Sequence, residues 1–385
     1  MKRWIRISCL ILGATLAQAE EVFFFRFISS TTSVMVAGAG DGTVVWSNAA
    51  AATTGRFQRA TSMNPTNDWL DYVQCAVETA VATQRLFDLA TSEGMAYIPA
   101  GTFQMGDTFG DASAVGCMNE EPVHTLFLSE FYMDKTEVTK GQWDQVFSWA
   151  VTNGYDFDNV GSWADGANIS KGDDHPVICV SWFDCVKWCN ARSEQEGKIP
   201  VYTTNGAVFR TGSNYLVDCE WTISGYRLPT EAEWEKAARG GARARRFPWP
   251  DSDEIQHSRA NYNSTNYYAY DTSDTSGHSP SSGGPPYTTP VGSYSPNTYG
   301  LYDMAGNVFE WCWDFYDYYW YTNTEASAAN SRGPTTSVYR MLRSGSGYSF
   351  AWYSRNSLRY HCFPPDYFVN VGFRTVLSPD RSGGL

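Results

Sequence analysis

Residues Gly225 to Arg239 read GYRLPTEAEWEKAAR. Thr230, followed three residues later by Glu233, is a capping box, in which each side chain satisfies a backbone amide that the helix start leaves bare. Glu231, Glu233 and Glu235 then place negative charge at the positive end of the helix dipole. Working outward, two more helices declare themselves by their starts. Thr139 with Gln142 forms a capping box ahead of Trp143 and Val146, and Ser181 caps a helix running through Trp182, Val186 and Cys189 that stops near Gly197. Tyr97 to Gly106 reads as strand, turn, strand. Residues 250–300 are rich in Tyr, Ser, Gly, Pro, Asn and Asp, hence mostly loop. Short β-like runs follow around Trp311, Tyr339 to Leu342 and Val371 to Val376. There is no regular repeat and no heptad pattern.

Few helices, short strands and long loops need something other than regular ladders to hold them, and buried aromatics, disulfides and bound cations are the usual means. The composition supplies the first. Aromatics are 16% of the 385 residues, with 15 Trp and 24 Tyr, against 18% charged residues. A formal net charge of −13 argues against nucleic acid as a partner, because phosphates would be repelled.

The N-terminus has a targeting pattern. Lys2, Arg3 and Arg6 form a basic head, Ile7 to Leu16 are mostly apolar, and Ala17-Gln18-Ala19 offers a small-residue cleavage site. The apolar stretch is short for a membrane span and no later segment reaches about 18 uninterrupted apolar residues, so an exported protein (periplasmic, cell-surface or secreted) without a transmembrane segment is expected. Of nine cysteines Cys9 leaves with the leader, and some of the remaining eight are expected to pair in an oxidising compartment. The expected organisation is a signal peptide over 1–19, a small β-rich module over 20–92, a main domain over 93–378 and a tail over 379–385.

Five motifs in fixed order then become specific. They are YIPAGTFQMG (Tyr97 to Gly106), DKTEVT (Asp134 to Thr139), HPVICVSW (His175 to Trp182), the GYRLPTEAEWEKAAR run, and YGLYDMAGNVFEW (Tyr299 to Trp311), with VGFR (Val371 to Arg374) closing the set. Together they resemble the formylglycine-generating enzyme (sulfatase-modifying factor) family. The resemblance implies an irregular α+β fold related to the C-type lectin scaffold, which also serves non-catalytic binding modules, so fold alone does not settle function.

The resemblance also implies sites. A Ca²⁺ would be held by the Asp303 side chain, the carbonyls of Gly306 and Val308, and Glu310, a mixed oxygen set of the kind calcium takes. A second would begin at Asn261 and the Tyr262 carbonyl. Its aspartate position falls on Gly283, with Asp271 or Asp274 as substitutes only in a rearranged loop. The family's oxidase chemistry uses copper(I) on two thiolates five residues apart, and those positions fall on Ser349 and Ser354. A hydroxyl cannot replace a thiolate toward a soft metal, so copper is not expected. Cys189 matches one half of a family disulfide, but Thr375 stands where its mate would be. The five histidines, at 124, 175, 257, 278 and 361, have no close ligand spacing.

The expected function is thus an exported, calcium-stabilised binding or accessory module. Its ligand would be a peptide, protein or glycan, taken in a groove including Arg343, Ser346, Tyr348, Trp352 and Arg359. The alternative is an oxidoreductase converting a sulfatase cysteine to formylglycine, or another oxidation on the same fold.

Overall fold

The computed structural model describes residues 94–114, 118–162, 171–242, 244–265 and 267–379, with the backbone of six strands between residues 24 and 85. The expected leader, the side chains of residues 20–92 and the last six residues of the expected tail lie outside the described residues. Phe24–Ser29, Thr53–Ala60 and Leu70–Val77 form one antiparallel sheet; Ser33–Gly38, Thr43–Asn48 and Val81–Arg85 form another.

In the main domain the elements that position the site are β1 (Met95–Ile98), β2 (Phe131–Asp134), α1 (Lys140–Thr152), α2 (Trp182–Gln195), β3 (Tyr226–Arg227), α3 (Glu231–Ala238), β4 (Phe309–Phe315), β5 (Arg340–Arg343), β6 (Tyr360–Cys362), β7 (Val371–Gly372) and β8 (Val376–Leu377). One antiparallel sheet has the order β3-β8-β2-β1. The other runs β6-β5-β4-β7, with β4 and β7 parallel. The three helix starts read from sequence are all reciprocal capping boxes, Thr139 with Gln142, Ser181 with Asp184 and Thr230 with Glu233. Each contributes about 1 kcal/mol to its helix.

Aromatic packing joins α1 to α2. The Trp143 and Trp188 rings stack 6.1 Å apart and nearly parallel, and Phe373 meets both edge-on. Every buried indole N–H needs an acceptor. Trp143 donates to the Val160 carbonyl, Trp188 to Trp143, Trp182 to Cys312 and Trp311 to Val180. These bonds tie loops and helix ends together where ladders are short.

The expected disulfides are not found among the described residues, where all six described cysteines are free thiols. Cys185, Cys189 and Cys312 are fully buried in apolar clusters, and that burial pushes their thiols well above the usual range. They are packing atoms. Near Cys189, Thr375 donates to Asp134 at 2.6 Å and accepts from Arg192 at 2.9 Å, a polar tie between strand and helix.

The glutamates of α3 do more than answer the helix dipole. Glu231 receives Arg343 (3.0 Å), Arg359 (2.7 Å) and the Tyr321 hydroxyl (3.1 Å). Glu235 receives Arg343 (2.8 Å), Arg239 (2.7 Å) and the Gly106 amide (2.9 Å). Arg227 clasps both oxygens of Glu233. The expectation that Arg343 and Arg359 face a groove is therefore corrected. Both are buried, because the carboxylates that neutralise them lie inside.

Candidate functional site

Beside the β6-β5-β4-β7 sheet lies a groove of about 350 Å³ whose walls include Phe309, Leu342, Tyr348, Phe350, Tyr353 and Tyr360. The Phe309 and Tyr360 rings stack at 5.0 Å, and Tyr353 meets both edge-on at 6.2 and 5.8 Å. Phe350, Tyr360 and Phe368 on the wall, with Phe363 and Tyr367 nearby, are exposed large side chains. The polar groups on this wall are the tyrosine hydroxyls, Ser349, Cys362 and Asn370. No His, Asp, Glu, Lys or Arg lines it among the described residues.

Of the residues expected in a groove, the structure brings Tyr348 and Ser349 to this wall. Ser346 is buried behind it, its hydroxyl 2.8 Å from that of Ser349 and 3.2 Å from the Asn370 amide. Trp352 is turned inward, with the Arg355 guanidinium 3.7 Å over its ring, which corrects its assignment to the groove. Ser354 is buried as well, and its hydroxyl has no hydrogen-bond partner.

Cys362 is the one groove thiol among the described residues. Its Sγ lies 3.5 Å from an Asp366 carboxylate oxygen. Burial, then the hydrogen bond and charge of Asp366, push the thiol up to about 11, so it is protonated at neutral pH. A single protonated thiol does not fit copper(I), which wants thiolate pairs. In the sequence Cys362 lies well past Ser349 and Ser354; its arrival in the groove depends on β6 pairing with β5, which no local pattern announced.

A second cavity of about 250 Å³ lies near Trp221 and Arg332. Of its charged residues, Glu130, Arg227, Glu233 and Arg332, the Arg227–Glu233 pair is already joined, and the aromatic groove is taken as the candidate site.

The loop of Asp303 to Glu310 is built around close backbone approaches. Gly306 has φ +84°, and a Cβ there would lie 2.2 Å from the Asn261 carbonyl oxygen, so glycine is required. The Ser344 hydroxyl donates to the carbonyls of Asp303 and Gly306, and Val308 is fully buried. One Asp303 oxygen accepts the Gly292 amide at 2.6 Å; the other, Oδ1, is buried with no donor. Burial pushes the Asp303 carboxyl up to about 6. An orphaned, buried carboxylate oxygen is the kind of group a hard cation takes. Glu310, expected as a ligand, also holds the loop to its surroundings. Its oxygens accept Arg374 at 2.7 and 2.8 Å and the Trp234 indole at 2.8 Å.

The residues of the second expected calcium site stand as follows. The Asn261 amide group donates to the Tyr287 carbonyl at 2.6 Å and to Asn307 at 3.1 Å, and its oxygen is buried without a partner. The Tyr262 carbonyl accepts the Ser279 amide. Asp271 accepts the Tyr262 and Ser264 hydroxyls. Around Gly283, the Lys171 ammonium donates to the carbonyls of Ser282 (2.5 Å) and Gly284 (3.1 Å), supplying positive charge of its own.

The histidines are engaged locally and far apart in role. His175 meets Thr288, His278 stacks on Tyr287, and His361 stacks on Tyr316. Burial, then the Lys171 charge, brings His175 down to about 4, so it is neutral near pH 7.

Comparison with known proteins matches residues 82–379 to the sulfatase-modifying factor enzyme 1-like domain. The chain belongs to this family. The formylglycine-generating enzyme of Streptomyces coelicolor is 32% identical over 76% of this chain and 92% of its own length. That of Thermomonospora curvata is 30% identical over 75% of this chain and 94% of its own. Among solved structures, Treponema denticola variable protein 1 aligns with a TM-score of 0.55 at 28% identity, covering 74% of this chain and 95% of that one. In this member of the sulfatase-modifying factor family the groove is aromatic and carries one thiol.

Proposed function

We propose that this chain is an exported, non-catalytic member of the family that binds a peptide or protein segment in its aromatic groove. The observation that carries the reading is the groove's chemistry. It offers flat aromatic area with few rotamers, which suits peptide side chains, and a few hydroxyl and amide groups to orient them. It offers no paired thiolate for copper and no acid or base among the described residues. A calcium ion in the loop of Asp303 to Glu310 would stiffen the segment that leads into β4, which supplies Phe309 to the groove wall. The Lys2, Arg3 and Arg6 head with Ala17-Gln18-Ala19 supports export.

The competing oxidase reading draws support from the identity with formylglycine-generating enzymes. Incubating the protein with a Cys-x-Pro-x-Arg peptide, copper and a reductant separates the two. Binding without aldehyde, lost in Tyr348→Ala, is the expected result. Aldehyde formed in multiple turnovers overturns the binding-module reading.

A further inference from the structure

The cavity of about 250 Å³ near Trp221 is walled by segments far apart in the chain, around Leu128, Trp221, Asn330 and Pro379. Hydrogen bonds pin these walls. The Asn330 side chain accepts the Ser129 amide at 2.7 Å and donates to the Ser129 hydroxyl at 3.2 Å. On the other side the Ser224 hydroxyl donates to the Ser378 carbonyl at 2.6 Å.

Two arginines lie over the Trp221 ring, Arg332 at 4.2 Å and Arg227 at 4.9 Å. They differ in charge balance. Arg227 is buried and gives both ends of its fork to Glu233, at 2.6 and 2.7 Å. Arg332 is exposed and makes no hydrogen bond or ion pair with any described residue. An exposed arginine ordinarily keeps its rotamer freedom. Here attraction to the indole holds the guanidinium at the cavity wall, so less freedom is lost when its N–H groups take a partner.

The rest of the wall narrows what that partner is. A guanidinium fork matches a planar carboxylate through two parallel bonds. Glu130 also lines the cavity, and its charge disfavours a doubly charged anion such as phosphate. Leu128, the Trp221 ring and Pro379 offer apolar area beside the guanidinium. The Glu231 and Glu233 amides at the start of α3 are already taken, by Asp314 and Thr230, so the helix start is not the binding group. The volume is below the roughly 300–1,000 Å³ of pockets for larger ligands, and suits a single residue.

We propose that this cavity binds a small monocarboxylate with an apolar side chain, an amino-acid carboxylate either free or at the end of a peptide, with Arg332 taking the carboxylate and Trp221 as its platform. The site is separate from the aromatic groove, and no residue lines both.

The test is calorimetric titration of the full chain, Arg332→Gln and Arg332→Lys with four probes: N-acetyl-leucine, its uncharged amide, a pentapeptide ending in leucine with a free carboxylate, and inorganic phosphate. The wild type is expected to bind N-acetyl-leucine but neither the amide nor phosphate. Arg332→Gln should weaken that binding at least about tenfold, as expected for lost hydrogen bonds to a charged group. Arg332→Lys should weaken it as well, because an ammonium keeps the charge without the fork. Equal affinity for the pentapeptide assigns the site to peptide C-termini, whereas binding of N-acetyl-leucine alone assigns it to free acids. Absent binding of N-acetyl-leucine, equal binding of the amide or of phosphate, or unchanged affinity in Arg332→Gln overturns the proposal. Arg332 lies outside the groove, so any of these results leaves the groove reading untouched.

Discussion

Replacing Glu231 with glutamine removes one negative charge from a buried ion cluster. Glu231 receives Arg343 at 3.0 Å and Arg359 at 2.7 and 3.1 Å, and the side chains of all three are at most 2% exposed. Arg343 keeps Glu235 in the variant, whereas Arg359 is left with the carbonyls of Asn119 and Asp317. A glutamine NH₂ would also face guanidinium N–H groups, donor against donor. Removing one partner of a buried pair costs about 3–5 kcal/mol, a large share of the roughly 5–15 kcal/mol that holds a domain folded. Urea unfolding should show the midpoint fall with the slope unchanged. The pH dependence gives a second signature. Burial raises the Glu231 carboxyl, but Arg359 and Arg343 outweigh it and hold it below its usual 4.5. Its stabilisation is therefore present above the unfolded value and is lost as pH falls through the lower folded value. The variant should lack that acid-side loss. Arg343 ends β5 and Arg359 precedes β6, so the groove walls should loosen and ligand binding weaken. A change under about 1 kcal/mol, with the acid limb intact, would refute the clamp assigned to Glu231.

Ser354→Ala should stabilise the protein by about 1 kcal/mol, since it removes a buried hydroxyl that has no partner; a loss of stability in denaturant titration would show that the hydroxyl is bonded. Cys362 should alkylate with iodoacetamide at pH 8 about 100-fold more slowly than an ordinary thiol, and faster in Asp366→Asn, because the thiolate fraction follows the raised pKa. Ordinary reactivity would contradict the buried, carboxylate-bonded thiol. Gly306→Ala should destabilise by about 2 kcal/mol or more, from a left-handed φ and a collision with the Asn261 carbonyl; wild-type unfolding behaviour would contradict the loop geometry.

The helices were legible because their signals are local. Thr139, Ser181 and Thr230 each sit three residues before the group that completes the cap, and all three boxes close. The strand-turn-strand reading of Tyr97 to Gly106 corresponds to strands at Met95–Ile98 and Gly101–Met105. What failed to show was long-range. Arg343 and Arg359 lie more than 100 residues from Glu231, so an exposed role and a buried one look alike in sequence. Glu137 passed as part of a motif, because its full burial against Asn307, 170 residues away, leaves no local trace. Glu310 was assigned by resemblance, and its contacts with Arg374 and the Trp234 indole come from distant segments.

The sulfur content of the groove can be measured directly. Copper(I) is titrated into the reduced protein in competition with bicinchoninate, in parallel with Cys362→Ser. With one protonated thiol at the wall, the chelator should keep its copper and the two proteins should behave alike. Withdrawal of one equivalent of copper by the wild type, abolished in Cys362→Ser, would mean that a second sulfur reaches the groove, and the chain would have to be read as an oxidase.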